Sequence, residues 1–318
     1  MTVDLTNPIF FDEDKAREHF EALRWPEGPV CPHCGSVEGL KRLAGKSHRK
    51  GLYQCNACRE HFTVTVGTVM ERSHVPLHKW ALGFHLMASS KKGVSAHQLW
   101  RTLGLGSYRT AWFMAHRIRE AMNPLNPEKI GEAGGVIEID ETFLGKEATV
   151  FVSGKGWRGG SGQKKIVTML ERGGRARSVK VDDLTKPEIV RALEGASRNA
   201  VLNTDEAQHY RRIGREFAAH YRVNHGLKEW TRGNAYTNSV EGFFSVFKRG
   251  MRGVYQQCSE QHLHRYLAEF DFRHSNRIAL GVDDTERAAR AIVGADGKRL
   301  TYKPAKTGNA PALVPARA

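Results

Sequence analysis

Four cysteines and three acids are the residues of this 318-residue chain whose types and spacing can do chemistry. Asp140 closes the short apolar run VIEID, Asp205 closes VLNTD, and Glu241 lies near the start of NSVEGFFSVFK, with 35 residues between it and Asp205. A carboxylate at the C-terminal end of a strand projects into the crevice where an α/β sheet binds ligands. Three carboxylates converging there repel one another unless divalent cations neutralise them, and Mg²⁺ or Mn²⁺ suits such an all-oxygen donor set. Two such ions, roughly 4 Å apart, activate a water or hydroxyl nucleophile and stabilise the leaving oxygen of a phosphodiester.

The neighbouring acids compete for the same role. Glu138 shares a strand face with Asp140 and is a candidate auxiliary ligand. Glu141 and Glu206 directly follow the two aspartates, so strand alternation points them elsewhere. Asp182 and Asp183 read as a solvated turn. Asn224 and His225, in VNHG, either contact DNA, support the site or belong to an ordinary loop.

Glu241 has two readings. Val240, Phe243, Phe244 and Phe247 recur at spacings of three and four and form one apolar stripe of a helix over residues 236–252, capped at Thr237 or Asn238. At about 100° per residue, Glu241 and Lys248 fall within roughly 20° of each other at the margin of that stripe. An acid and a cation on one edge can hold a metal and a phosphate together. Asn238-x-x-Glu241 also fits a capping box, in which Glu241 only bonds back to the helix start.

The second constellation is Cys31-Pro-His-Cys34, a 20-residue gap, and Cys55-Asn-Ala-Cys58. Two Cys-x-x-Cys knuckles place four thiolates at the corners of a tetrahedron, the geometry of structural zinc. With all four ligands from protein, no coordination position is open for catalysis. His33 and His61 are surplus and read as surface or DNA-facing side chains. Cys258 is a plain thiol, buried or half-buried.

Positioning these groups requires at least two kinds of element. Residues 11–24 read as an amphipathic helix, and the segment between the cysteine pairs as two short strands around a basic turn. From Pro76 to Met122 the pattern is helical, with Leu77, Trp80, Ala81, Phe84 and Met87 on one face. Ser95 caps AHQLWRTL, Gly104-Leu-Gly106 ends it, and Ser107 or Tyr108 opens YRTAWFMAHRIREAM. Two helices joined by a glycine turn, the second carrying Arg109, His116, Arg117 and Arg119, fit a helix-turn-helix. After the proline-marked linker NPLNP, strands are expected at 136–140, 166–170, 177–181 and 201–205, a Gly-rich basic loop with Trp157 at 151–163, and helices at 186–193, 207–219 and 260–272. That order is the order of a ribonuclease H-like α/β domain, a mixed sheet with flanking helices. Trp157 can stack on a distorted base or fill a core.

Lys and Arg total 49 against 34 Asp and Glu, a net charge of +15 spread along the chain, which favours a polyanionic partner, nucleic acid before membrane. No apolar run approaches a membrane span and the N-terminus is unlike a signal peptide, so a soluble, cytoplasmic protein is expected. The expected division is an N-terminal helix at 1–29, a zinc ribbon at 30–70, a helix-turn-helix region at 71–127, the ribonuclease H-like domain at 128–280 and a largely disordered tail at 281–318.

The stretches IEIDETFLG, VLNTDEAQHY, VNHGLKEW and TNSVEGFFSVFKRG, with GVYQQCSEQHLHRYLAEFDFRHSNR downstream and the ribbon upstream, resemble the DDE transposases of bacterial insertion sequences, closest to the ISXO-like group with an N-terminal zinc ribbon. The likeness covers most of residues 20–280. It implies that Asp140, Asp205 and Glu241 form the triad for two Mg²⁺ or Mn²⁺ ions, beside one structural zinc. It implies that Lys248, with Arg249 and Arg252, holds a DNA phosphate. It further implies binding of double-stranded transposon ends and target DNA, metal-dependent 3′-end cleavage and strand transfer, a dimer or higher oligomer in the synaptic complex, and a nucleoid-associated location. Phe244 departs from the Trp usual in the family, and some relatives use Asn where the acid stands, which keeps Asn238 in view. Two other functions fit the same residues: a structure-specific nuclease, separated by a strand-transfer assay with a precut end, and a domesticated regulator, which would not keep three carboxylates.

Overall fold

The computed structural model describes residues 4–145, 148–153, 156–161, 163–223, 226 and 231–301, with backbone alone over 148–152 and 156–161. The described residues form two compact units, one built from residues up to Pro124 and from Val282 on, the other from Leu125–Gly281.

In the first unit, helix α1 (Glu13–Arg24) starts where the Asp12 carboxylate accepts the Asp14 and Lys15 amides at 2.8 and 2.9 Å, and it buries Ala16 and Phe20. Strands β1 (Leu40–Leu43), β2 (Leu52–Cys55) and β3 (His61–Phe62) form a small antiparallel sheet. Gly51 precedes β2 at φ +72°, and a Cβ there would lie 2.3 Å from the Arg17 side chain, so only glycine fits this turn. Helices α2 (Leu77–Ser89), α3 (Ala96–Thr102) and α4 (Tyr108–Met122) follow. Ser95 and Ser107 cap the last two, accepting from the Gln98 and Thr110 amides at 3.1 Å each.

The second unit is a five-stranded mixed sheet. Strand β4 (Val136–Leu144) leads through a two-stranded hairpin, β5 (Ala148–Val152) and β6 (Gly156–Ser161), to β7 (Lys164–Glu171) and β8 (Ala176–Val181). Helix α5 (Lys186–Ala192), β9 (Val201–Thr204), α6 (Tyr210–Ile213), β10 (Ala219–Arg222), α7 (Asn238–Gly250) and α8 (Leu263–Ser275) complete it. The order is β10-β9-β4-β7-β8, antiparallel from β4 to β8 and parallel from β4 to β10, the ribonuclease H-like arrangement. Alternation along β4 separates two cores. Ile137 and Ile139 face a cluster with Leu202, Leu193 and Tyr210, while Leu144 faces one with Val240, Phe247 and Phe270.

Four sequence expectations change here. β4 runs four residues past Asp140, because Thr142 and Leu144 continue the buried alternation and every residue from Ile137 to Leu144 pairs with β7. The basic loop at 151–163 is largely strand, holding the end of β5 and all of β6; the Trp157 side chain lies outside the described residues. The helix expected at 207–219 shrinks to α6 and a single 3-10 turn (Gly214–Glu216), and Ala219 already opens β10. A Cβ at Gly214 would lie 2.0 Å from the His220 ring, so this glycine sits where the chain turns back against the sheet edge.

The fourth change is at the C-terminus. Residues assigned to a disordered tail contain helix α9 (Asp284–Val293), capped by Asp283 and packed on α2, α1 and α4. Arg24 Nη2 bonds Asp296 at 2.6 Å, and the buried Lys298 ammonium donates to the Glu120 and Ala121 carbonyls at 3.0 Å each, capping the end of α4. The apolar positions Val282, Ala288, Ala291, Ile292 and Ala295 are all buried. Residues 302–318 lie outside the described residues.

Candidate active site and zinc centre

β9 lies parallel to β4 with Val201, Leu202 and Asn203 opposite Val136, Ile137 and Glu138. Continuing that register two residues sets Asp205 level with Asp140. β9 ends at Thr204, so Asp205 opens a crevice beside the middle of β4. Ligand oxygens of Asp140, Glu141 and Asp205 all lie within 4.8 Å of one another. Asp140 Oδ1 accepts the Glu141 amide at 2.8 Å, and Asp205 Oδ1 accepts the Ala207 amide at 3.0 Å. Burial pushes the Asp140 carboxyl up to about 7, and the charges of Glu141, Asp205 and Glu241 push the same way. Asp205 is raised as well, by burial first and then by Glu141 and Glu206. A crowded, oxygen-only donor set that resists ionisation fits a hard divalent cation, which supplies the missing positive charge.

Glu141 was expected to point away, and the structure brings it in. Its Oε1 accepts the Tyr210 hydroxyl at 2.6 Å and meets His209 Nε2, whose pKa this contact raises. Alternation does send Glu141 to the opposite face from Asp140. With no β9 residue beside it past Asp205, both faces open into one crevice and the longer side chain reaches the cluster. Strand alternation argues against Glu141 in the sequence, and the signal that overrides it, the early end of β9, is tertiary.

Glu138 does not serve as a ligand. It is fully buried and accepts Arg172 Nε at 2.6 Å, Ser239 N at 2.8 Å, Ser239 Oγ at 3.0 Å and Val240 N at 3.1 Å. A strand carboxylate therefore caps α7 and satisfies two of its orphan amides. Arg172 also donates to the Asn234 and Tyr236 carbonyls at 2.7 and 2.9 Å, and Asn203 Nδ2 reaches the Asn234 carbonyl at 3.0 Å. The two strands that carry the aspartates thus fasten the start of the helix that carries Glu241.

On α7 the stripe Val240, Phe243, Phe244 and Phe247 is buried, as its spacing requires. The N-cap is Thr237, and Glu241 Oε1 accepts the Thr237 hydroxyl at 3.3 Å. Glu241 is exposed and lies outside the group of three acids, yet near enough for its charge to raise Asp140. Lys248 is half-buried in the last turns of α7. Arg249 is exposed with Nε on the Ser245 carbonyl at 3.0 Å, and Arg252 is exposed in the π-helical turn Met251–Tyr255. Asn224 and His225 lie outside the described residues.

In the other unit, the Cys31 and Cys58 sulfurs lie 3.7 Å apart, as do those of Cys34 and Cys55. Zinc bound at about 2.3 Å by four sulfurs requires tetrahedron edges of about 3.8 Å, close to these two separations, and all four sulfurs lie within 4.8 Å of one another. Trp25 packs edge-on against Tyr53 and Phe62 beneath it.

Comparison with known proteins finds a family match over each of these regions. Residues 132–275 match the ISXO2-like transposase domain, and residues 11–61 match the transposase zinc-ribbon domain. The chain carries an ISXO2-like transposase domain behind a transposase zinc ribbon. It is also 26% identical over 282 residues to an uncharacterized protein in transposable element ISH50 of Halobacterium salinarum, across 83% of this chain and 91% of that relative. A transposase domain implies DNA binding, and the four-cysteine cage supports one structural Zn²⁺.

For an insertion-sequence transposase, the outward side chains of the helical region matter. Of the residues expected to mark the second helix of a helix-turn-helix, His116 and Arg119 are buried, and Arg117 is half-buried beside Phe113. The exposed side chains include His97, Gln98 and Arg101 on α3 with Tyr108 and Arg109 at the start of α4, and the His97 and Tyr108 rings stack 4.2 Å apart. His33 and His61 are exposed near the cage and Cys258 is half-buried. No described helix is long and apolar enough to cross a membrane.

Proposed function

We propose that this transposase acts by a DDE two-metal mechanism, cleaving the phosphodiester at the 3′ ends of its element and joining the freed hydroxyl to target DNA. The observation that carries the reading is the convergence of the Asp140 and Asp205 carboxylates at one level of neighbouring parallel strands. A pair of Mg²⁺ or Mn²⁺ ions, when bound there, supplies the charge that activates the attacking oxygen and stabilises the leaving one. Asp140 and Asp205 would hold the ions, and Glu241, which accepts the Thr237 hydroxyl, would complete the ligand set from α7. Glu141 stays engaged with Tyr210 and His209 and adds negative charge behind the ligands. Lys248, Arg249 and Arg252 hold a phosphate of the bound strand.

The cysteine ribbon and the exposed start of α4 locate the terminal inverted repeats, with Arg109, Arg101 and Gln98 as the side chains that reach DNA. Pairing of two ends requires at least a dimer in the working complex. Asp205→Asn should abolish donor cleavage and leave end binding within a few-fold, measured by gel assays on a labelled element end. Retained Mg²⁺-dependent cleavage would overturn the assignment. Strand transfer from a precut end distinguishes the transposase from a nuclease on the same fold.

A further inference from the structure

A cavity of about 310 Å³ opens at the C-terminal ends of β9 and β10, one residue beyond Asp205. Its wall includes Arg211 from α6, His220, Tyr221 and Arg222 from β10, Arg232, and Glu206. Three guanidinium groups face one carboxylate, and that carboxylate accepts the Gly226 amide at 3.3 Å. Arg211 and Arg222 are exposed and hold no ion pair among the described residues. Tyr221 is 53% exposed on the outermost strand of the sheet. Behind them His220 bonds the Thr204 hydroxyl at 2.9 Å, and burial together with Arg222 lowers its pKa, which keeps the imidazole neutral and the cavity's charge on the arginines.

A positive hollow with an exposed aromatic ring is the physical signature of single-stranded nucleic acid binding: cations track the backbone and the ring stacks on a base. The volume is at the lower limit of ligand pockets, room for about one nucleotide and too small for duplex. We propose that this cavity takes an unpaired DNA nucleotide adjacent to the cleavage position, its phosphate on Arg211 and Arg222 and its base on Tyr221. The proposal rests on the reading of the acidic cluster as a DNA-cleaving centre, and it adds that the end is locally unpaired there.

The test uses the full chain with its zinc, no added Mg²⁺, and a dye-labelled thymidine octamer followed by anisotropy across a salt series. Tyr221→Ala should weaken binding about tenfold and Tyr221→Phe should restore it, as stacking requires. Arg211→Ser with Arg222→Ser should flatten the slope of log affinity against log salt by about 0.7 for each lost phosphate contact. In donor cleavage, an element end with unpaired flanking bases should be cut faster than duplex by the native chain, and the double variant should lose most of its activity on duplex ends. Octamer binding within twofold of native in all three variants, with an unchanged salt slope, overturns the proposal. Because octamer binding involves no cleavage, cleavage that persists in Asp205→Asn sinks the catalytic reading while leaving the octamer result to stand by itself.

Discussion

Replacing Glu138 by alanine tests whether α7 is held in place from the sheet. The carboxylate is fully buried and receives hydrogen bonds from Arg172 Nε, the Ser239 amide and hydroxyl, and the Val240 amide. Truncation leaves a largely buried guanidinium and two helix amides without their acceptor. Breaking a buried pair from one side costs about 3–5 kcal/mol, a range that absorbs the loss of the helix cap. For a unit of this size each kcal/mol moves Tm by roughly 2–4 °C, so calorimetry should show a drop of roughly 6–20 °C. Glu138→Gln keeps an acceptor oxygen and loses the charge, and should cost about 2 kcal/mol. Arg172→Met combined with Glu138→Gln should be less harmful than the two added together, with a coupling of about 1–3 kcal/mol in urea denaturation. Because the same contacts set where Glu241 starts, Glu138→Gln should also slow donor cleavage by up to about a hundredfold, the scale of a misplaced catalytic group, with end binding unchanged. A Glu138→Ala protein within 1 kcal/mol of native, or strictly additive variants, would refute the clamp.

Three other outcomes are expected. The Asp140 carboxyl sits at about 7 in the folded chain against an ordinary value near 3.8, so its stabilising protonated form is fully present below about pH 4 and lost as pH rises toward 7, a swing of about 4 kcal/mol at most. Tm without divalent ions should therefore fall between about pH 4 and 7, Mg²⁺ should restore it at pH 7, and Asp140→Asn should remove part of the fall, the buried Asp271 carboxyl at about 7 and the raised Asp205 contributing to the rest; a flat profile contradicts this. Removing zinc with a chelator should release one ion per chain and change the fluorescence of Trp25, which packs on Tyr53 and Phe62 under the cage, whereas an unaltered spectrum after metal loss argues against a structural role. Ending the chain at Gly281 removes the apolar face of α9, with Val282 and Ile292 buried, and the Lys298 cap on α4; the loss of about 5 kcal/mol should leave the N-terminal unit aggregating or melting early in calorimetry, and an unchanged melt would show that the segment is dispensable.

The sequence by itself determined what depends on local pattern and residue type. The two Cys-x-x-Cys pairs specify a tetrahedral cage, the serine caps specify where α3 and α4 begin, and the phenylalanine spacing specifies the buried face of α7. Apolar runs ending in acids mark Asp140 and Asp205 as neighbours in an α/β sheet. Tertiary structure decided the rest, because it depends on which strand stops first and on what packs against what. The early end of β9 admits Glu141 to the acidic cluster against strand alternation. Glu138 looks like a spare ligand in one dimension, and only the approach of α7 shows it to be that helix's cap. His116 and Arg119 have the composition of a DNA-facing surface, yet their side of α4 is the buried one. The segment from Val282 to Lys298 is rich in Ala and Asp, weak signals for a core, and its order comes from long-range partners such as Arg24 and the carbonyl end of α4. Contacts across such sequence separations leave no periodicity in the chain, and only the folded structure reveals them.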